Sequence, residues 1–122
     1  MAATPNQPPE VLQYNAKVKE LQQLVVKRRK LTQQRHENEM VKAELALLED
    51  GDVVYKFDEG DLAEEDPLEA EMCVEQRLDY INEELRKLDE AEPKVQAELK
   101  EIQKRIIALQ QQAAKKAQPK QK

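Results

Sequence analysis

Residues 74–109, VEQRLDYINEELRKLDEAEPKVQAELKEIQKRIIAL, decide the fold. Val74, Leu78, Ile81, Leu85, Leu88, Glu92, Val95, Leu99, Ile102, Ile106 and Leu109 follow one another by alternating steps of four and three. That spacing keeps a single stripe of an α-helix turned toward a partner. The partner stripe lies upstream, in Val11, Tyr14, Val18, Leu21, Leu24, Arg28, Leu31, Asn38, Val41, Leu45 and Leu48. In an antiparallel hairpin, facing residues have a constant sum of residue numbers. Val11 with Leu109, Tyr14 with Ile106, Val18 with Ile102 and Leu21 with Leu99 each total 120, while Leu24 with Val95, Leu31 with Leu88, Val41 with Leu78 and Leu45 with Val74 total 119. The polar interruptions match as well, because Arg28 falls opposite Glu92 with the same sum of 120. The chain therefore reads as mainly α, an antiparallel two-helix coiled-coil hairpin about 60 Å long with a short β segment at its turn.

Local signals divide the chain. Pro5, Pro8 and Pro9 among small polar residues predict a disordered arm over 1–9, with Pro9 suited to the first turn of a helix over 10–49. Gly51 is placed to end that helix in left-handed geometry. Asp66 as cap, Pro67 at the first position and Glu69 completing a capping box open a second helix over 66–112. Pro93 removes one backbone donor inside it and predicts a kink. The connector, 52–65, holds the β-forming run Val53-Val54-Tyr55-Lys56-Phe57, with Val53, Tyr55 and Phe57 on one face. A β-hairpin of this size is marginal alone, which points to strands supplied by other chains. The stretch AAKKAQPKQK, 113–122, carries no apolar stripe and reads as a disordered basic tail.

Composition removes whole classes of function. Charged residues make up 37% of the chain and aromatics 3%, with no Trp, so a thick globular core cannot form. The single cysteine, Cys73, excludes an internal disulfide and a multi-cysteine metal centre. Without a long apolar run or a leader-like start, the chain is expected to be cytoplasmic and to bind no membrane. Positive charge is concentrated in Lys27, Arg28, Arg29 and Lys30 and in the tail, which reads as solvated flank and not as a nucleic-acid surface. His36 has no second ligand at metal spacing, and nothing in the sequence is positioned to activate Cys73 as a nucleophile. Six of the nine residues from Asp58 to Asp66 are acidic, but they lack the alternating ligands of a calcium loop. Arg28, Asn38 and Glu92 read as devices that set the register of the coil. No catalytic residue, metal or cofactor is expected, and the chain is not read as an enzyme.

Three blocks carry a resemblance to a known family: Asn38-Glu39-Met40-Val41-Lys42-Ala43-Glu44-Leu45-Ala46-Leu47-Leu48, Val53-Val54-Tyr55-Lys56 and Val74-Glu75-Gln76-Arg77-Leu78-Asp79-Tyr80-Ile81. With the helix, β segment and returning helix, they resemble the β-class subunits of prefoldin, a hexameric co-chaperone, over about residues 11–112. The resemblance implies that β segments of six subunits build a double β-barrel platform from which coiled-coil arms project. The arm tips would hold unfolded chains of the actin and tubulin class, without ATP, and pass them to the group II chaperonin. For this chain it implies assembly with other prefoldin subunits through Val53, Val54, Tyr55, Phe57 and Leu62. Client contact would fall to Val11, Tyr14, Ile106, Ile107 and Leu109. One departure stands out. Where the family has an apolar strand resembling L-x-G-P-V-L-V-K, this chain reads Phe57-Asp58-Glu59-Gly60-Asp61-Leu62-Ala63-Glu64, whose acids disfavour pairing. The reading of a different class is a coiled-coil adaptor that bridges two folded proteins and holds no client.

Overall fold

The computed structural model describes residues 7–117, so the expected arm (1–9) and tail (113–122) lie outside the described residues over 1–6 and 118–122 only. Four elements follow in order: α1 (Pro9–Ala46), β1 (Val54–Asp58), β2 (Asp61–Glu65) and α2 (Pro67–Ala117). The chain is thus mainly α, two long helices with a short antiparallel hairpin between them.

Each boundary has a local cause. The Pro8 carbonyl accepts from the Val11 and Leu12 amides at 3.1 and 3.3 Å, which starts α1 on Pro9. At the other end α1 stops at Ala46, earlier than Glu49. There the amides of Leu47 and Leu48 donate three residues back to Glu44 and Leu45, tightening the last turn. The Glu49 amide then donates to Asp52 Oδ2 at 2.7 Å, and Gly51 takes φ +93° to reverse the chain. Asp66 caps α2 by accepting from the Leu68 amide at 3.1 Å, with Pro67 in the first helical position. Helix α2 remains helical through Pro93 and continues to Ala117, five residues beyond the expected end. Ala113, Ala114 and Ala117 are strong helix formers, and Lys115 and Lys116 offset the negative end of the helix dipole, so propensity sustains the last turn after the apolar stripe has ended.

The acidic segment does form a strand. Tyr55 pairs with Glu64, Phe57 with Leu62 and Asp58 with Asp61. Glu59 at φ 48° and Gly60 at φ 88° make a two-residue turn whose twist suits a hairpin, and the Phe57/Leu62 pair adds apolar contact. Apart from half-buried Glu65, the acids of the hairpin are exposed to water, where their repulsion is screened.

The chain divides into two compact units. The first joins α1 up to Val26 with α2 from Asp89 onward. Its buried residues are Val95 and Ile102, with Val11, Tyr14, Val18, Leu21, Leu24, Leu99 and Ile106 half-buried at the expected seam positions. Lys17 of α1 forms an ion pair with Glu98 of α2. The second unit, Lys27–Leu88, holds the hairpin and the denser core of Leu31, Ala70, Val74, Leu78, Ile81, Leu85 and Leu88. Its helices are bridged by Lys27 Nζ and Glu84 Oε2 at 3.2 Å.

Candidate functional site

Apolar residues that keep surface in solvent mark two candidate surfaces among the described residues, one in each unit. In the second unit, strand pairing puts Tyr55, Phe57, Leu62 and Glu64 on one face of the hairpin, because directly opposed residues share a face and alternate residues point oppositely. Tyr55 is 58% exposed, Phe57 75% and Leu62 64%. Val53, one residue before the strand, is also exposed. Val54 behaves differently from the other four residues expected to serve assembly. It belongs to the opposite face, where it is half-buried and borders a cavity of about 200 Å³ with Val41, Leu45, Ala70 and Val74.

In the first unit, Val11, Ile106 and Leu109 line a groove of about 300 Å³ together with Pro8 and Ala113. Tyr14 and Ile107 lie outside this lining, the first half-buried and the second exposed. The groove is apolar, open, and bordered by Glu10 and Gln110. A surface of this kind fits extended apolar side chains and supplies no groups for chemistry.

Charge decorates the helices. A hydrogen bond to Glu98, then one to Glu20, holds the Lys17 ammonium above the usual lysine range. Arg86 grips Glu83 through two nitrogens, the shortest contact 2.7 Å, and keeps that carboxyl below the usual glutamate range. Asn38 donates one side-chain N–H to the Gln34 carbonyl at 2.7 Å, a bond within its own helix. Arg28 lies in the second unit and Glu92 in the first, each half-buried. Cys73 is exposed. Among the described residues no cluster of His, Cys, Asp and Glu is suited to a metal, and no helix is long and apolar enough to cross a membrane.

Two long helices joined through a β-hairpin that exposes Tyr55, Phe57 and Leu62 define the class by its fold, and comparison with known proteins identifies the family. The sequence profile of the prefoldin subunit family matches residues 10–113, and the chain belongs to that family. It is similar to prefoldin subunit 6 of Homo sapiens, 34% identical over 115 residues that cover 90% of this chain and 89% of the relative. Prefoldin subunit 6 of Saccharomyces cerevisiae is 33% identical over 95 residues, 78% of this chain and 83% of that one. Among solved structures, the prefoldin beta subunit from Thermococcus strain KS-1 shares the fold, with a TM-score of 0.72 and 23% identity over 87% of this chain and 96% of that chain. Membership implies a hetero-oligomeric co-chaperone associated with other prefoldin subunits; the family is one of chaperones and not of enzymes.

The sequence carries no signal for the Lys17–Glu98 and Lys27–Glu84 bridges, because flanking charges are too frequent along both helices for pairing to be read from spacing. The positive φ of Glu59 was likewise unmarked, although the following Gly60 is a known turn cue.

Proposed function

We propose that this chain is one subunit of a hetero-hexameric prefoldin-like complex in the cytoplasm that holds unfolded clients of the actin and tubulin class. The complex delivers them to the group II chaperonin without ATP. Val53, Val54, Tyr55, Phe57 and Leu62 join the platform, and the ends of the helices, at Val11, Tyr14, Ile106, Ile107 and Leu109, meet the client. Support for the holding step comes from the open groove bordered by Val11, Ile106 and Leu109, which offers apolar surface with no shape specific to one ligand. Weak contacts of that kind suit a client that presents many sequences in many registers.

Light scattering of an aggregating unfolded client tests this directly. Assemblies carrying Val11→Ser, Tyr14→Ser, Ile106→Ser and Ile107→Ser together are expected to keep their size and lose at least half of their protection. Equal protection by variant and wild type would move the client site off the helix ends. An assembly that protects no client even in wild-type form, while recovering one folded partner, would leave the chain as a coiled-coil adaptor.

A further inference from the structure

The hairpin is a two-stranded sheet, so each strand has a hydrogen-bonded neighbour on one side only among the described residues. An edge of this kind is a template for another strand, and here it borders the exposed face of Tyr55, Phe57 and Leu62. We propose that the outer edge of β2 takes a strand from a non-identical polypeptide with Lys or Arg opposite Asp61, Glu64 and Glu65 and an apolar residue opposite Leu62. The same edge rejects a second copy of this chain. The proposal rests on the assembly reading above and adds to it the chemistry of the neighbour.

Charge complementarity selects this occupant. From Asp52 to Asp66 the chain carries seven acids and one base, Lys56. Within the hairpin Asp58 already stands opposite Asp61, a like-charged pair that disfavours the isolated structure. Two copies joined antiparallel by their β2 edges and centred on Ala63 would set Asp61 against Glu65 and Leu62 against Glu64, each twice. A parallel in-register pairing would oppose every acid to itself. Either arrangement adds repulsion where the apolar face demands contact. A basic strand reverses the sign at all three acids and still covers Leu62. Acids on an edge strand are a known defence against self-pairing, and here they also specify what pairs instead.

The full-length chain provides its own probe. The Asp61→Lys/Glu64→Lys/Glu65→Lys variant inverts the edge without touching Tyr55, Phe57 or Leu62. Sedimentation velocity would follow wild type alone, the inverted variant alone and an equimolar mixture, at about 0.05 M and about 0.5 M salt. The mixture is expected to associate about tenfold or more tightly than either chain alone, and to lose most of that advantage at the higher salt. A neutral variant, Asp61→Asn/Glu64→Gln/Glu65→Gln, should bind wild type more weakly than the inverted one. Wild type that self-associates as tightly as the mixture, or a neutral partner equal to the inverted one, overturns the selection by charge. Absence of association in every combination overturns pairing at this edge. Neither result disposes of the assembly reading, which is judged separately by co-elution of the Tyr55→Ser/Phe57→Ser chain with its natural partners.

Discussion

Glu84 shows how much a single side chain contributes to the second unit. Its two carboxylate oxygens lie 3.2 Å from Lys27 Nζ and 3.4 Å from Lys87 Nζ, with 15% of the side chain exposed. The hydrogen bond from Lys27 does most to hold the carboxyl below the usual glutamate range, and Lys87 adds to it. A depressed folded value stabilises the protein above the unfolded pKa, near 4.3 for a free glutamate, and that contribution disappears as pH falls through the folded value. Glu84→Gln should therefore lower the melting temperature at neutral pH, and the two melting curves should converge as the pH is taken below about 4. A gap that stays constant across the range would remove the role given to ionisation. Glu59 is a second case, since a residue with a Cβ at φ 48° carries local strain of about 1 kcal/mol. Glu59→Asn creates Asn-Gly, the preferred pair for this turn. Slower amide exchange at Lys56 and Ala63 is expected in that variant, and unchanged or faster exchange would contradict it.

At the scale of the elements, the two helices are unequal. Of the buried apolar residues named above, only Leu31 belongs to α1, while Ala70, Val74, Leu78, Ile81, Leu85, Leu88, Val95 and Ile102 belong to α2. Helix α2 is the spine against which α1 lays a stripe that is mostly half-buried. Truncating the spine should cost far more than truncating exposed apolar residues of the same helix. Ile81→Ala, at a position 4% exposed, is expected to destabilise by about 2–4 kcal/mol, and Ile107→Ala by less than about 1 kcal/mol. Urea unfolding followed by helical circular dichroism measures both, and similar losses would mean that burial along α2 is not what holds the helices together. The hairpin contrasts with both helices. Its Tyr55, Phe57 and Leu62 give their apolar surface to solvent and so add little to the stability of the lone chain.

For the whole molecule, that contrast separates folding from assembly. Tyr55→Ser/Phe57→Ser should leave the helical signal and melting temperature nearly unchanged while the chain fails to co-elute with its partner subunits, and co-elution at wild-type levels would detach this face from assembly. Much of this organisation is legible in the sequence. The steps of three and four through Leu78, Ile81, Leu85 and Leu88 follow from helix geometry, and Pro67 after Asp66 marks a helix start by local hydrogen bonding, so both helices and the position of the turn can be read from neighbouring residues. What depends on contacts between distant residues cannot. Whether Asp61–Glu65 pairs at all was decided by the Glu59-Gly60 turn and the Phe57/Leu62 contact overcoming unfavourable strand composition. Which side of β1 is covered was decided in three dimensions, where Val54 is half-buried beside the cavity it borders with Leu45 and Val74 while Tyr55 and Phe57 keep most of their surface in solvent. Periodicity records that a side chain has a face, but only packing in three dimensions determines which face is covered.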